Sequence, residues 1–296
     1  MNARELTKDE YFFGHKACAG CGGALAVRIA MKVLGKNAYA ALPAGCMSAV
    51  GFNFPQLCFA NNAIISTFAG TASMLTGIEA GLRAQGATDF TAVGFAGDGG
   101  TADIGIQALS GAIDRGDDIL YICYDNEAYM NTGVQKSGLS PFGAKTTTTP
   151  AGERIRGNIR PKKRMFEIAA AHGIAYAATA SVGYLNDYMD KIAKAKTIRG
   201  TKYIHVIAPC PVGWGTRTDE TIELARDIAD TGLWPLAEYE NGVFRLTKRA
   251  REPFADPQNY FKKQSRFRHL TAGDIAAITA DRDLNWEKIK KEYEGS

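Results

Sequence analysis

The sequence predicts an α/β fold: a mostly parallel sheet with helices on both faces. Two observations carry this reading. Short apolar runs rich in β-branched and aromatic residues recur at 90–96, 119–124, 174–179 and 203–208, each bounded by Gly, Asp or Pro. Stretches with helical spacing of apolar residues stand between them. Such alternation requires crossover connections, which make neighbouring strands parallel and lay helices on the sheet faces.

In chain order, residues 22–34 and 71–85 repeat apolar side chains at three- and four-residue intervals and are read as helices. Residues 90–96 form the first buried strand, and 102–115 return to helical spacing. The run Ile-Leu-Tyr-Ile-Cys-Tyr at 119–124 is too short and too uniformly apolar for a surface helix. Helix 163–172, strand 174–179, helix 185–196, strand 203–208 and helix 219–231 continue the alternation. Beyond about Leu233 strand signals are few, a last helix spans 272–293, and basic and aromatic residues gather around Tyr260 to Phe267. The chain is therefore divided into residues 1–232, which carry the chemistry, and an extension, 233–296, expected to wrap a partner subunit.

Hydrophobic residues make up 46% and charged residues 22%, enough to build a core and against a disordered or fibrous chain. The 35 basic and 31 acidic residues form no long block of one sign, which argues against a nucleic-acid arm. The basic run Arg154 to Arg164 reads as a solvated loop or as a contact for an anionic cofactor or a partner subunit. No stretch approaches the roughly 20 apolar residues that a membrane helix needs. The polar start, Met1 to Glu10, lacks the apolar core of a secretory signal, so a cytoplasmic protein is expected. There thiols stay reduced, and six cysteines, at 18, 21, 46, 58, 123 and 210, point to metal or redox chemistry before disulfides.

Parallel α/β sheets bind ligands beyond the carboxyl ends of their strands. The loops after Ala96, Tyr124 and Ala208 are expected to converge there. Gly97-Asp98-Gly99-Gly100 follows one strand and opens a helix, so its backbone can approach a phosphate closely. Mg²⁺ bridging diphosphate oxygens prefers one or two protein carboxylates, and Asp98 is the candidate. Asn126 and the Ala128 carbonyl, after the next strand, can complete a hard-oxygen site. Gly97, Gly99 and Ala102 also match a relaxed dinucleotide fingerprint, with Asp125 in the place of a ribose-binding acid. A nicotinamide dehydrogenase therefore stays open.

Cys18 and Cys21 form a Cys-x-x-Cys pair on a glycine-rich turn, Cys46 ends Pro43-Ala44-Gly45-Cys46, and Cys210 lies between Pro209 and Pro211. Four thiolates on such turns suit a tetrahedral metal or a cubane cluster. A structural zinc in an interaction module and a redox dithiol are the competing readings. Cys58 and Cys123 stand in apolar runs and are expected to pack.

The run beginning Gly97-Asp98-Gly99 resembles the thiamine diphosphate-binding motif, which closes on an asparagine; here Asp98 precedes Asn126 by 28 residues. Together with Cys18, Cys21, Cys46, Cys210 and the run Tyr124-Asp125-Asn126-Glu127-Ala128-Tyr129-Met130-Asn131-Thr132-Gly133, the chain resembles the β subunit of pyruvate and related 2-oxoacid:ferredoxin oxidoreductases over about residues 10–235. The resemblance implies a 4Fe-4S cluster on the four cysteines and Mg²⁺ on Asp98, Asn126 and Ala128, with thiamine diphosphate bound beside Gly97, Gly99 and Gly100. It implies decarboxylation of a 2-oxoacid, one-electron transfer to the cluster and, for most members, acyl transfer to coenzyme A. Asn131 is the expected polar contact for substrate. Other subunits must supply the pyrimidine-binding domain and ferredoxin-like clusters that pass electrons to ferredoxin, so a hetero-oligomer is expected. The loop following Tyr124 sets the chain with the pyruvate and branched-chain group. Departures at Asn53-Phe54-Pro55-Gln56, Phe68-Ala69-Gly70 and Gln135 to Pro141 leave the acid open, oxalate included.

Overall fold

A strand that is apolar on both faces needs cover on both sides. The computed structural model describes residues 1, 3–152, 155–248 and 252–294, and in it that cover is present. The described residues form ten strands: β1 (Ala38–Pro43), β2 (Phe52–Asn53), β3 (Gln56–Leu57), β4 (Ala63–Ser66), β5 (Thr91–Gly97), β6 (Ile119–Asp125), β7 (Tyr176–Ser181), β8 (Lys202–Ile207), β9 (Ala237–Glu240) and β10 (Val243–Leu246). Eight make one sheet, in the order β10-β9-β7-β8-β6-β5-β1-β4. From β7 to β4 every pairing is parallel, while β9 runs antiparallel to both β7 and β10.

The helices are α1 (Gly22–Leu34), α2 (Cys46–Gly51), α3 (Thr71–Ala84), α4 (Asp98–Ala102), α5 (Ile106–Arg115), α6 (Met165–Ala171), α7 (Leu185–Thr197), α8 (Pro211–Trp214), α9 (Thr221–Asp230), α10 (Pro257–Lys262) and α11 (Ala272–Glu294). Successive strand residues face opposite sides, as strand geometry demands. Val93, Phe95, Leu120 and Ile122 pack with Val27, Met31 and Ile192 of α1 and α7. Ala92, Ala96, Tyr121 and Cys123 pack with Leu75, Leu109, Phe166 and Trp286 of α3, α5, α6 and α11. Burying each Leu, Ile or Phe contributes about 1.5–3 kcal/mol, so both faces hold the sheet.

Three expectations need correction. The stretch 102–115 is not one helix: α4 ends at Ala102 and α5 begins at Ile106. Gly105 at the break lies so close to the Gly100 carbonyl that a Cβ would stand 1.9 Å from its oxygen. The tail also contains the β9–β10 hairpin. Its turn residues Asn241 and Gly242 have φ of 48° and 85°, the left-handed pair that an Asn-Gly hairpin turn requires. Finally, β1 and β4 pair in parallel on the far side of β5, where the alanine-rich Ala38–Pro43 gave no strand signal. Beyond residue 233, Tyr260, Phe261 and Phe267 share a core cluster with Trp214 and Ile207.

Candidate active site

Four adjacent parallel strands, β8, β6, β5 and β1, end on one rim. Gly97 pairs in register with Tyr124 and Asp125 with Ile207, and the Ala208 N–H donates to the Asp125 carbonyl at 2.8 Å. The residues that follow these strands are Cys46, Asp98, Asn126 and Cys210. The loops expected to converge do so, joined by the loop after β1.

Asp98 is the first residue of α4 and only 2% exposed. The Asn126 carboxamide faces Asp98 Oδ1 and the Ala128 carbonyl, and its NH₂ group donates to them at 3.1 and 2.8 Å. Turned over, it would present its oxygen instead, so with a cation present the same three groups would offer an all-oxygen cage. The Ser137 hydroxyl donates to Asp98 Oδ2, which leaves Oδ1 aimed at the cage. Burial, reinforced by the nearby Asp125, pushes the Asp98 carboxyl well above the usual carboxylate range. A positive ion would reverse that. Glycine is required at 99, because a Cβ there would lie 2.2 Å from the Tyr129 ring, whose hydroxyl donates to Asp103 at 2.7 Å.

Behind the cage lies a buried ionic floor. Lys162 Nζ stands 2.6 Å from Asp125 and 2.7 Å from Glu127, His205 Nε2 is 2.8 Å from Asp125, and Arg266 pairs with Glu127. Burial opposes ionisation of Asp125, yet Lys162 and His205 overcome it and hold the acid below its ordinary value. Asp125 is fully buried and its carboxylate is taken up by Lys162 and His205, so it does not stand free as the acid of a dinucleotide site would. Within the basic run, Lys162 thus serves the floor, Lys163 pairs with Asp103 at 2.7 Å, and Arg154 lies outside the described residues.

The cysteines sit at helix starts. Cys21 caps α1 and its sulfur accepts the Ala24 N–H at 3.4 Å; Cys210 caps α8 and accepts the Gly213 N–H at 3.4 Å; Cys46 opens α2. The Gly22 N–H donates to the Pro209 carbonyl at 3.1 Å, and a Cβ on Gly22 would lie 2.8 Å from that oxygen. Only glycine lets the Cys18–Cys21 turn rest on the Cys210 turn. Burial pushes the Cys46 thiol up to about 12, with Cys210, Cys21, Asp98 and Cys18 adding to it. Burial also raises Cys21 and Cys210. The four cysteines therefore lie within one another's electrostatic reach. Among the described residues no three His, Cys, Asp or Glu side chains stand at the spacing of a single-ion site. Cys58 and Cys123 are buried, Cys58 donating to the Val50 carbonyl at 3.6 Å.

Cage and cysteine turns share a wall. The Tyr124 ring lies 3.4 Å from where a Cβ on Gly97 would be and 3.3 Å from one on Gly23, and its hydroxyl accepts the Met47 N–H at 3.4 Å. The indole N–H of Trp214, at the end of α8, donates to the Asn126 carbonyl at 2.8 Å.

This geometry agrees with what known proteins share with the chain. The thiamine pyrophosphate enzyme, C-terminal TPP binding domain, family matches residues 43–206. Pyruvate synthase subunit PorB of Methanothermobacter marburgensis is 49% identical over 267 residues, which cover 90% of this chain and 92% of that one. The chain belongs to the β subunits of 2-oxoacid:ferredoxin oxidoreductases. Ketoisovalerate oxidoreductase subunit VorB of Pyrococcus horikoshii is 43% identical over 293 residues, 96% of this chain and 93% of its own. A solved 2-oxoglutarate:ferredoxin oxidoreductase from Magnetococcus marinus, 20% identical, shares the fold with a TM-score of 0.59 over 75% of this chain and 82% of that one.

In this oxidoreductase subunit the matched domain contains Cys46, Asp98, Asn126, Ala128 and Asn131, whereas Cys18, Cys21 and Cys210 fall outside it. Asn131 is exposed on the turn in which the Tyr129 N–H donates to the Gln135 carbonyl at 2.8 Å. His15, beside the Cys18 turn, stacks on Phe12 and accepts the Ala17 N–H at 3.3 Å. Sequence reasoning missed Ser137, Glu127, Lys162, Trp214 and Arg266. Their spacing carries no motif, and only the fold brings them to the cage.

Proposed function

We propose that this subunit holds thiamine diphosphate through Mg²⁺ on Asp98, Asn126 and the Ala128 carbonyl, carries a 4Fe-4S cluster on Cys18, Cys21, Cys46 and Cys210, and acts on pyruvate. The observation that carries the reading is the oxygen cage and the four cysteines on one sheet rim with a common wall. When bound, thiamine diphosphate supplies the nucleophilic carbon and electron sink for oxidative decarboxylation of a 2-oxoacid. Gly97, Gly99 and Gly100 keep the backbone bare where the diphosphate would approach. Burial raises the Asp98 carboxyl, and a cation beside it would favour the ionised form. Ser137 fixes which carboxyl oxygen faces the cation, and Asn126 and Ala128 add neutral oxygens that suit Mg²⁺.

The thiols support an iron site by their chemistry. Burial raises the half-buried thiols of Cys21, Cys46 and Cys210, and the cysteines would repel one another as thiolates, so a centre of several positive charges would favour ionising them together. Exposed Phe54 on the β2–β3 hairpin and Val212 beside Cys210, 95% and 69% accessible, support burial against other subunits. Those subunits would bring the pyrimidine-binding glutamate and the clusters leading to ferredoxin, with coenzyme A as acyl acceptor. Asn131, exposed on its turn, would be the polar contact for substrate.

Pyruvate synthase subunits at 49% identity favour pyruvate, and ketoisovalerate oxidoreductase subunits at 43% make the branched-chain acid the second reading. The test is dye reduction by the anaerobically purified complex with pyruvate, 2-oxoisovalerate, 2-oxoglutarate and oxalate. Thiamine-dependent reduction fastest with pyruvate is expected. A faster rate with another acid overturns the substrate, and no reduction with any of them overturns the function.

A further inference from the structure

The tail of the chain reaches the cage through one side chain. Arg266, in the short helical turn Ser265–Phe267, is 5% exposed, and its guanidinium pairs with the Glu127 carboxylate. Its Nε donates to the Gln264 side chain at 2.9 Å, and its plane lies 3.9 Å over the Trp214 ring. Two of these three neighbours, Glu127 and Trp214, touch the cage residues. Glu127 stands between Asn126 and Ala128, with φ of 69°. That left-handed conformation is uncommon for a residue with a side chain, and it persists only where surroundings impose it. The surroundings here hold both ends of the residue: the Glu127 N–H donates to Asp125 Oδ1 at 2.9 Å, the Ser140 hydroxyl donates to the Glu127 carbonyl at 2.6 Å, and Arg266 and Lys162 hold its side chain. Trp214 donates to the Asn126 carbonyl and follows Cys210 in α8.

We infer that Arg266 is a positioning residue for the cofactor site: it sets the Asn126–Ala128 loop through Glu127 and ties it to the Cys210 turn through Trp214. The inference rests on the reading of the cage as the Mg²⁺–thiamine diphosphate site. It makes the tail part of that site. Lysine cannot replace Arg266 fully, because an ammonium pairs with Glu127 but lacks the flat surface that stacks on the indole.

The test is Mg²⁺-dependent thiamine diphosphate titration of the purified complex, with the thermal midpoint recorded in parallel. Residues that orient metal ligands typically change metal affinity by roughly 10–100-fold, and Arg266→Met is expected to weaken binding on that scale. Arg266→Lys, which keeps the charge and thereby the fold, is expected to fall between it and the wild type. Glu127→Gln, which also loses its pair with Lys162, and the double variant complete a cycle, and the double variant is expected to lose less than the sum of the two single losses because the Glu127–Arg266 pair is counted in both. A lowered midpoint with affinity unchanged in both Arg266 variants would reduce Arg266 to a structural role and overturn the inference. So would losses that simply add. A wild-type complex that binds no Mg²⁺–thiamine diphosphate would overturn the cofactor reading itself, an outcome visible before any variant is compared.

Discussion

The oxygen cage and the cysteine turns occupy one rim but are finished to different degrees. At the cage, the Asn126 amide lies 3.1 Å from Asp98 Oδ1 and 2.8 Å from the Ala128 carbonyl, and an ionic floor of Lys162, His205, Asp125, Glu127 and Arg266 backs them. At the cysteines, Cys18 is exposed, the other three are half-buried, and the turns are set by glycine contacts and helix caps. The first site is held by side-chain hydrogen bonds and ion pairs, Ser137 on Asp98 and the floor behind Asn126 and Ala128. The second is gathered only by backbone contacts and caps, and burial raises the thiols of Cys21, Cys46 and Cys210.

Removing one ligand from each region breaks the comparison most severely. Asp98→Ala is expected to abolish Mg²⁺-dependent thiamine diphosphate binding while iron content stays at the wild-type level. Cys46→Ala is expected to bleach the visible absorption of the cluster with thiamine affinity changed by no more than about twofold. Parallel losses in both variants would mean that the regions do not form separately.

Gly22→Ala tests the gathering of the turns. Its methyl group would meet the Pro209 carbonyl, so a loss of about 1–3 kcal/mol in stability is expected, with iron content falling before thiamine binding does. Ser137→Ala is milder: the Mg²⁺ affinity is expected to drop roughly tenfold, measured by titration of the metal at saturating thiamine diphosphate.

The pH dependence sharpens the contrast further. Asp98 binds its proton more tightly in the folded chain than in the unfolded one, so its contribution to stability is largest at acid pH. Without metal that contribution is lost as pH rises through the elevated folded value. Asp98→Asn, neutral at every pH, is therefore expected to raise the metal-free thermal midpoint at neutral pH, by about 2–4 °C for each kcal/mol relieved. Mg²⁺ affinity of the wild type is expected to weaken as pH falls through the same raised value. A midpoint unchanged by Asp98→Asn would show that the buried carboxyl carries no penalty.

The difference between the regions also decides what the sequence could disclose. Gly97-Asp98-Gly99, Asn126 and the four cysteines were legible because turn chemistry and ligand type survive in one dimension. The buried strands were legible for a similar reason, since continuous apolar runs such as Ile119–Asp125 are local signals. Ser137, Lys162 and Arg266 were not legible. Each is an ordinary polar residue whose role arises from contacts 39, 35 and 139 residues away in the chain. The strand β1 escaped because alanine satisfies a tightly covered interior without raising a hydrophobic signal, and the break before α5 because a backbone approach at Gly105 leaves no periodicity. The Asn241-Gly242 turn was a readable hairpin signal, but the strands beside it, Ala-Glu-Tyr-Glu and Val-Phe-Arg-Leu, are short and carry charges.

The most direct test of the two-region account is metal and cofactor content of the anaerobically purified complex, wild type against Cys46→Ala. The expected result is about four more irons per copy of this chain in the wild type, with Mg²⁺ and thiamine diphosphate equal in both. Equal iron in the two complexes, or zinc in place of iron at the cysteines, would contradict it.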